Sequence, residues 1–166
     1  MIPFSRTRLW LVLISAACVA MLAFGMYLQH VVGLEPCPMC IVQRYALVLV
    51  ALIAGVSALF KTGWLQTGGL VKMAVVSGFG AFVAARQSLL QWNPPEVMSC
   101  GRDFYGMIES FPLKRAIPLI FKGSGDCSAV DWTFLGLTIA NWSFLWFSGF
   151  LVLAVLLFRK RSSAAA

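Results

Sequence analysis

Cys37-Pro38-Met39-Cys40 sets two thiols close together just ahead of a long apolar run. A disulfide closing so short a loop removes little entropy from the unfolded chain, so it is a weak staple. Tight, exposed disulfides are the readily reduced ones, and redox exchange is the chemistry such a pair suits. The surroundings point the same way. Cys40 falls at the expected N-terminus of a helix, where unpaired amides and the helix dipole favour an anion. Arg44 follows one turn later on the same helical face. Both features favour the thiolate, the reactive form of cysteine. Arg44 also suits an interfacial anchor for that helix, and its guanidinium is placed to hold a carbonyl oxygen of a lipid-borne oxidant; the roles are compatible.

Cys100 and Cys127 form a second pair, set around a polar loop. Taken alone they are either a structural disulfide, stabilising by roughly 3–4 kcal/mol in the chain-entropy model, or an exchanging pair. Beside a reactive C-x-x-C on the same membrane face, a relay is the more economical account, because thiolate attack on a reachable disulfide needs nothing else in the loop. Zinc is disfavoured: structural zinc sites draw their ligands from short-spaced pairs, and an oxidising compartment would oxidise such ligands. Cys37, Cys40, Cys100 and Cys127 are therefore the candidate catalytic residues, Arg44 is the candidate binding residue, and no metal ligand is expected. Cys18, mid-way along an apolar run, reads as a small packing residue. His30 reads as an interfacial histidine, or else as a group that hydrogen-bonds a bound head group or carries a proton.

These groups must be positioned by membrane helices. Of the 166 residues, 60% are hydrophobic and only 11% charged, against about 25% charged in a soluble domain. The length allows one domain, residues 1–166. Four apolar runs, at about 9–28, 41–60, 70–90 and 142–158, are each near the length of about 20 residues that a bilayer demands. The third holds Lys72 and Arg86, about 21 Å apart along a helix, so each is placed to snorkel to its own interface. The first run continues well past Cys18, longer than a signal core, and is expected to remain as an uncleaved span. Short connections between the first three spans predict an antiparallel bundle, with loops at 29–40 and 91–141 on one membrane face and a short middle loop at 61–69 on the other. All four loop cysteines then meet one compartment.

Charge sets the direction. The net charge of +7 is not gathered into a basic, aromatic-interleaved stripe, which argues against nucleic acid. Arg6 and Arg8 precede the first span, Lys61 lies between the second and third, and Arg159, Lys160 and Arg161 follow the fourth. The positive-inside rule puts these in the cytoplasm with both termini. All 6 acidic residues (Glu35, Glu96, Asp103, Glu109, Asp126 and Asp131) fall in the other two loops. In the long loop, Phe111 to Phe121 mixes apolar and basic residues with Pro112 and Pro118; it reads equally as a short interfacial element or an irregular anchored loop. Trp10 and Trp64 at one interface, and Trp92 and Trp142 at the other, fit aromatic belts.

With Gln29-His30, Cys37-Pro38-Met39-Cys40, Arg44, Cys100, Ser124-Gly125-Asp126-Cys127, Trp132-x-Phe-Leu-Gly-Leu and Trp142 in view, the chain resembles the DsbB family of bacterial inner-membrane thiol oxidases over nearly its whole length. The resemblance implies an all-α antiparallel bundle of four transmembrane helices with a long periplasmic loop between helices three and four. It implies electron flow from a periplasmic DsbA-like thioredoxin-fold protein to ubiquinone or menaquinone, supporting disulfide formation in exported proteins. By that likeness Cys100 forms the mixed disulfide with the partner, Cys127 exchanges with Cys37, and Cys40 meets the quinone with Arg44 assisting. Ala140 stands where the family often has proline. Gln87 stands where well-known members carry a histidine implicated in quinone contact, and no role is carried over to it.

Two other readings make different demands. A vitamin K epoxide reductase-like protein carries its quinone-facing C-x-x-C near the last span, whereas here the motif precedes the second. A non-enzymatic tetraspan protein with structural disulfides would lose nothing when Cys37 and Cys40 become serine.

Overall fold

A computed structural model of the chain describes residues 4–34, 36–60, 63–93, 130 and 132–165. Four helices account for most of them: α1 (Phe4–His30), α2 (Pro38–Leu59), α3 (Gly63–Trp92) and α4 (Ile139–Ala165). Each contains a segment long and apolar enough to cross a membrane. Large side chains such as Leu13, Val19, Leu52, Val75, Phe82 and Val152 are exposed on the outer surface, which suits hydrocarbon as the surrounding solvent. The chain is an all-α membrane protein, as its composition demands.

The helices outrun the apolar segments that announce them. Residues from Gly63 onward, expected in the middle loop, are already helical. Hydropathy marks where the chain is oily, not where a helix begins or ends. At this end Gln66 Nε2 donates to the Phe60 carbonyl at 2.8 Å and Thr67 Oγ1 to the Gly63 carbonyl at 2.9 Å. Arg161, from the far end of α4, donates to Gln66 Oε1 and to the Gly63 carbonyl. The basic tail of α4 is thereby tied to the start of α3.

The expected third loop is shortened at both ends. Helix α3 runs to Trp92, and before α4 the strands β1 (Thr133–Phe134) and β2 (Leu137–Thr138) pair antiparallel. Their two-residue turn has φ of 52° at Leu135 and 77° at Gly136. Positive φ at both positions is the requirement of a type I′ hairpin turn. Thr138 then caps α4: its Oγ1 accepts the Asn141 N–H at 3.3 Å while its hydroxyl donates to Gln91 Oε1, at the end of α3, at 2.7 Å. Ala140 lies buried in the first turn that this cap begins. The Phe111–Phe121 segment and both Cys100 and Cys127 lie outside the described residues.

Small residues let the helices close on one another. On α2, Ala46, Val50, Ala54 and Ala58 recur every four residues and are buried against Leu11, Ile14 and Cys18 of α1 and Leu70 and Met73 of α3. A Cβ at Gly80 of α3 would fall 2.5 Å from the ring of Phe147 of α4, itself fully buried. Gly80→Ala is accordingly expected to force Phe147 out of its seat and cost roughly 1–3 kcal/mol, seen as a lowered midpoint of thermal unfolding in detergent. Helix α1 packs on α2, α2 on α3 and α3 most extensively on α4, whereas α1 and α4 barely touch. The bundle is thus open along one seam.

Candidate redox site

That seam ends at the cysteine motif. After α1, Gly33 adopts φ 80° and the Leu34 N–H bonds the Leu28 carbonyl at 3.1 Å, turning the chain back toward α2. Cys37 is extended (φ −66°, ψ 160°) and serves as the N-cap of α2, and Pro38 occupies the first turn. Proline is favoured there because its missing N–H would have had no helical partner. The sulfur of Cys37 takes the capping role usually filled by an oxygen, accepting the Cys40 N–H at 3.3 Å. Cys37 Sγ and Cys40 Sγ come within 2.7 Å of each other, so a small side-chain rotation separates the two atoms from bonding distance. Cys37 is buried and Cys40 half-buried.

The helix-terminal amide thus points at Cys37, where the sequence suggested Cys40. The reason is register: an N-cap side chain reaches the amide three residues on, and that amide belongs to Cys40. Arg44 lies one turn below Cys40, and its guanidinium crosses to α1. Nη2 donates to the Gly25 carbonyl at 3.0 Å and Nη1 to Gln29 Oε1. The side chain that reads as a charge beside a thiol also clamps α1 to α2.

Two glutamines complete the immediate surroundings. Gln87 Nε2 on α3 lies 3.3 Å from both Cys37 Sγ and Cys40 Sγ. Gln43 Nε2 on α2 donates to Gln87 Oε1 at 2.7 Å. Gln43 has neither charge nor motif to give it away, and Gln87 is marked only by the family resemblance, with no role carried over; the remaining signal is an amide at 43 and another at 87 inside runs otherwise apolar enough for burial.

Below the sulfurs the open seam forms a cavity of about 730 Å³. Its walls come from α1 (Met21, Phe24), α2 (Cys40, Arg44), α4 and the hairpin, and its few polar lining groups include Gln43, Arg44 and Gln87. An aromatic row bridges α1 to α4 across the gap: Phe24 meets Trp132 edge-on at 5.8 Å, Trp132 stacks on Phe134 at 6.0 Å, and Phe134 meets Trp142 at 6.1 Å. Trp142 Nε1 also donates to the Phe134 carbonyl at 3.1 Å, fastening the hairpin to α4. Trp142 therefore does more than mark an interface. His30 is exposed at the end of α1 and is not among the residues lining this cavity.

The structure brings Cys37, Cys40 and Arg44 together at one cavity, while the placement of Cys100 and Cys127 lies outside the described residues. Comparison with known proteins gives a consistent picture. Residues 7–157 match the family model "Disulfide bond formation protein DsbB". A protein of Polaromonas sp. (strain JS666) named "Disulfide bond formation protein B" is 69% identical over 150 residues, covering 90% of this chain and 89% of its own. Its namesake in Acidovorax sp. (strain JS42) is 71% identical over 148 residues, covering 89% and 84%. A more distant namesake, from Azoarcus sp. (strain BH72), is 51% identical over 164 residues, covering 96% and 97%.

Proposed function

This chain belongs to the DsbB family and is a membrane oxidoreductase of disulfide bond formation, and from that premise we propose that Cys37, Cys40, Cys100 and Cys127 relay electrons from a periplasmic dithiol protein to a membrane quinone. The carrying observation is the adjacency of the Cys37 and Cys40 sulfurs, 2.7 Å apart, at the end of a largely apolar cavity between helices. A dithiol there borders both an aqueous face and the hydrocarbon.

The partner is a DsbA-like thioredoxin-fold protein. Its dithiol attacks a Cys100–Cys127 disulfide; one S–S bond breaks as another forms, and after the second exchange the partner leaves oxidised while the loop holds two thiols. The loop dithiol then reduces the Cys37–Cys40 disulfide, Cys127 attacking Cys37, so the loop returns to its disulfide and the two electrons rest on Cys37 and Cys40. A bound ubiquinone or menaquinone would supply the acceptor for two electrons and two protons, against which Cys37 and Cys40 re-form their disulfide. The residues present suit such a group. The cavity offers apolar and aromatic walls for a flat ring, and the Arg44 guanidinium and the neighbouring amides are donors fit for a ring oxygen. So oxidising a partner, near −120 mV for DsbA in general, is recharged only by a stronger acceptor, which a quinone is.

The whole chain, 1–166, is read as one four-helix domain of the bacterial inner membrane. Both termini and the α2–α3 connection face the cytoplasm, on the strength of the basic residues gathered there. Residues 29–40 and 91–141 face the periplasm. Reconstitution tests the scheme. Purified protein mixed with reduced DsbA-like protein and ubiquinone or menaquinone is expected to reduce one quinone for each partner disulfide formed. Partner oxidation without quinone reduction would overturn the route.

A further inference from the structure

We propose that the Gln43–Gln87 amide pair is a built-in hydrogen-bond donor for the Cys37–Cys40 sulfurs, with Gln87 acting on the reacting atoms and Gln43 as the positioning residue that aims it. The inference rests on the redox role proposed for that cysteine pair.

Gln87 is 3% exposed and Gln43 4% exposed, on facing sides of α3 and α2. A buried amide left without partners costs about 1–3 kcal/mol, so an arrangement of two such groups is selective about orientation. In this structure the two amides adopt one orientation. Gln43 Nε2 occupies Gln87 Oε1 at 2.7 Å, which turns the amide oxygen away from the motif and the NH₂ toward it. That nitrogen lies 3.3 Å from each sulfur, and with the sulfurs only 2.7 Å apart one N–H is shared between them. Reversing the amide would set its oxygen against electron-rich sulfur and the two nitrogens against each other.

The chemical consequence is asymmetric between oxidation states. A thiolate accepts N–H bonds far more strongly than a neutral disulfide does. Donors aimed at both sulfurs therefore stabilise the reduced, ionised pair over the disulfide, and stabilising the reduced form is what makes a dithiol couple oxidising. The Cys40 N–H adds to this at Cys37. An amide does not titrate near neutral pH, so the assistance is constant where a histidine's would vary with protonation. Arg44, engaged by Gln29 and Gly25 on α1, leaves this nearest-donor role to Gln87.

The test uses the full-length protein in detergent, depleted of quinone and equilibrated with mixtures of reduced and oxidised glutathione. In that equilibrium the Cys37–Cys40 disulfide and two glutathione thiols convert to the Cys37/Cys40 dithiol and glutathione disulfide. The Cys37–Cys40 peptide is quantified by mass spectrometry after acid quenching. Gln87→Met, close in volume and without a donor, is expected to move the equilibrium about tenfold toward the cysteine disulfide, a potential about 30 mV lower for this two-electron couple. Iodoacetamide alkylation of the reduced pair at neutral pH should slow about threefold, because the smaller thiolate fraction is partly offset by greater intrinsic nucleophilicity.

Gln43→Met, which touches neither sulfur, should move the equilibrium in the same direction by a smaller factor. Gln43→Met/Gln87→Met should move it no further than Gln87→Met, since Gln43 acts through Gln87. An unchanged potential in Gln87→Met overturns the proposal. If Gln87→Met does not fold, an unchanged potential in Gln43→Met overturns it equally, and additive shifts in the double variant overturn the positioning role. None of these readings needs quinone or partner, so a failure here leaves the relay standing. Conversely, a wild-type protein that cannot turn over with partner and quinone sinks the relay while the glutathione equilibrium still reports on the amides.

Discussion

Cys40→Ser is expected to reduce partner-to-quinone turnover by roughly a thousandfold or more, the scale on which loss of a covalent nucleophile acts. Serine keeps the size and the local hydrogen bonding but cannot form the disulfide on which the last step depends. Cys40 lies in the first turn of α2, and the cap of that helix is supplied by Cys37, so the helix should survive and the loss should be chemical. A second signature follows from the proposed order of exchange. With Cys40 absent, Cys37 carries no disulfide for Cys127 to attack, so one equivalent of reduced partner should leave Cys100 and Cys127 as thiols, visible in non-reducing peptide mapping. Normal turnover in Cys40→Ser would mean that the C-x-x-C pair is not in the electron path.

Arg44→Met is expected to raise the KM for a soluble quinone analogue roughly tenfold to a hundredfold, since hydrogen bonds to a charged group are worth about 1.5–3 kcal/mol. The geometry gives two reasons for a large effect. The guanidinium lines the cavity, and its bonds to the Gly25 carbonyl and Gln29 Oε1 hold the α1 wall of that cavity against α2. Arg44→Lys should recover little, because an ammonium on a flexible stem lacks the fixed fork that spans two acceptors. Steady-state kinetics with the analogue varied and the reduced partner saturating checks this. An unchanged KM would leave Arg44 as an anchor for the helix and nothing more.

Much of the site is legible along the chain because its chemistry depends on local spacing. Two cysteines a single turn apart at the head of an apolar run suggest a redox pair and fix its position at a helix start, and Arg44 follows one turn on by helical period alone. Gln87 is different. The family resemblance marks its position without giving it a role, and its meaning comes from contact across helices with Gln43 and two sulfurs that lie far away in sequence. The hairpin escaped notice for another reason: Leu135 takes a left-handed conformation usually left to glycine or asparagine, so only Gly136 signalled a turn. The helix ends escaped because hydropathy weighs neither the Thr138 cap of α4 nor the bonds that Gln66 and Arg161 make between helix ends.

By itself, the order of residues determined four oily helices, the placing of basic residues about them, and a thiol pair at the mouth of the second. These depend on solvent preference and on helical period, which act over a few turns of chain. Only the tertiary structure decided that α1 and α4 stay apart and leave a cavity beneath the sulfurs, that Arg44 reaches across to α1, and that a pair of buried amides faces the cysteines. Those depend on which small residues allow two helices to close and which side chains meet across them, and that is a property of surfaces meeting in space.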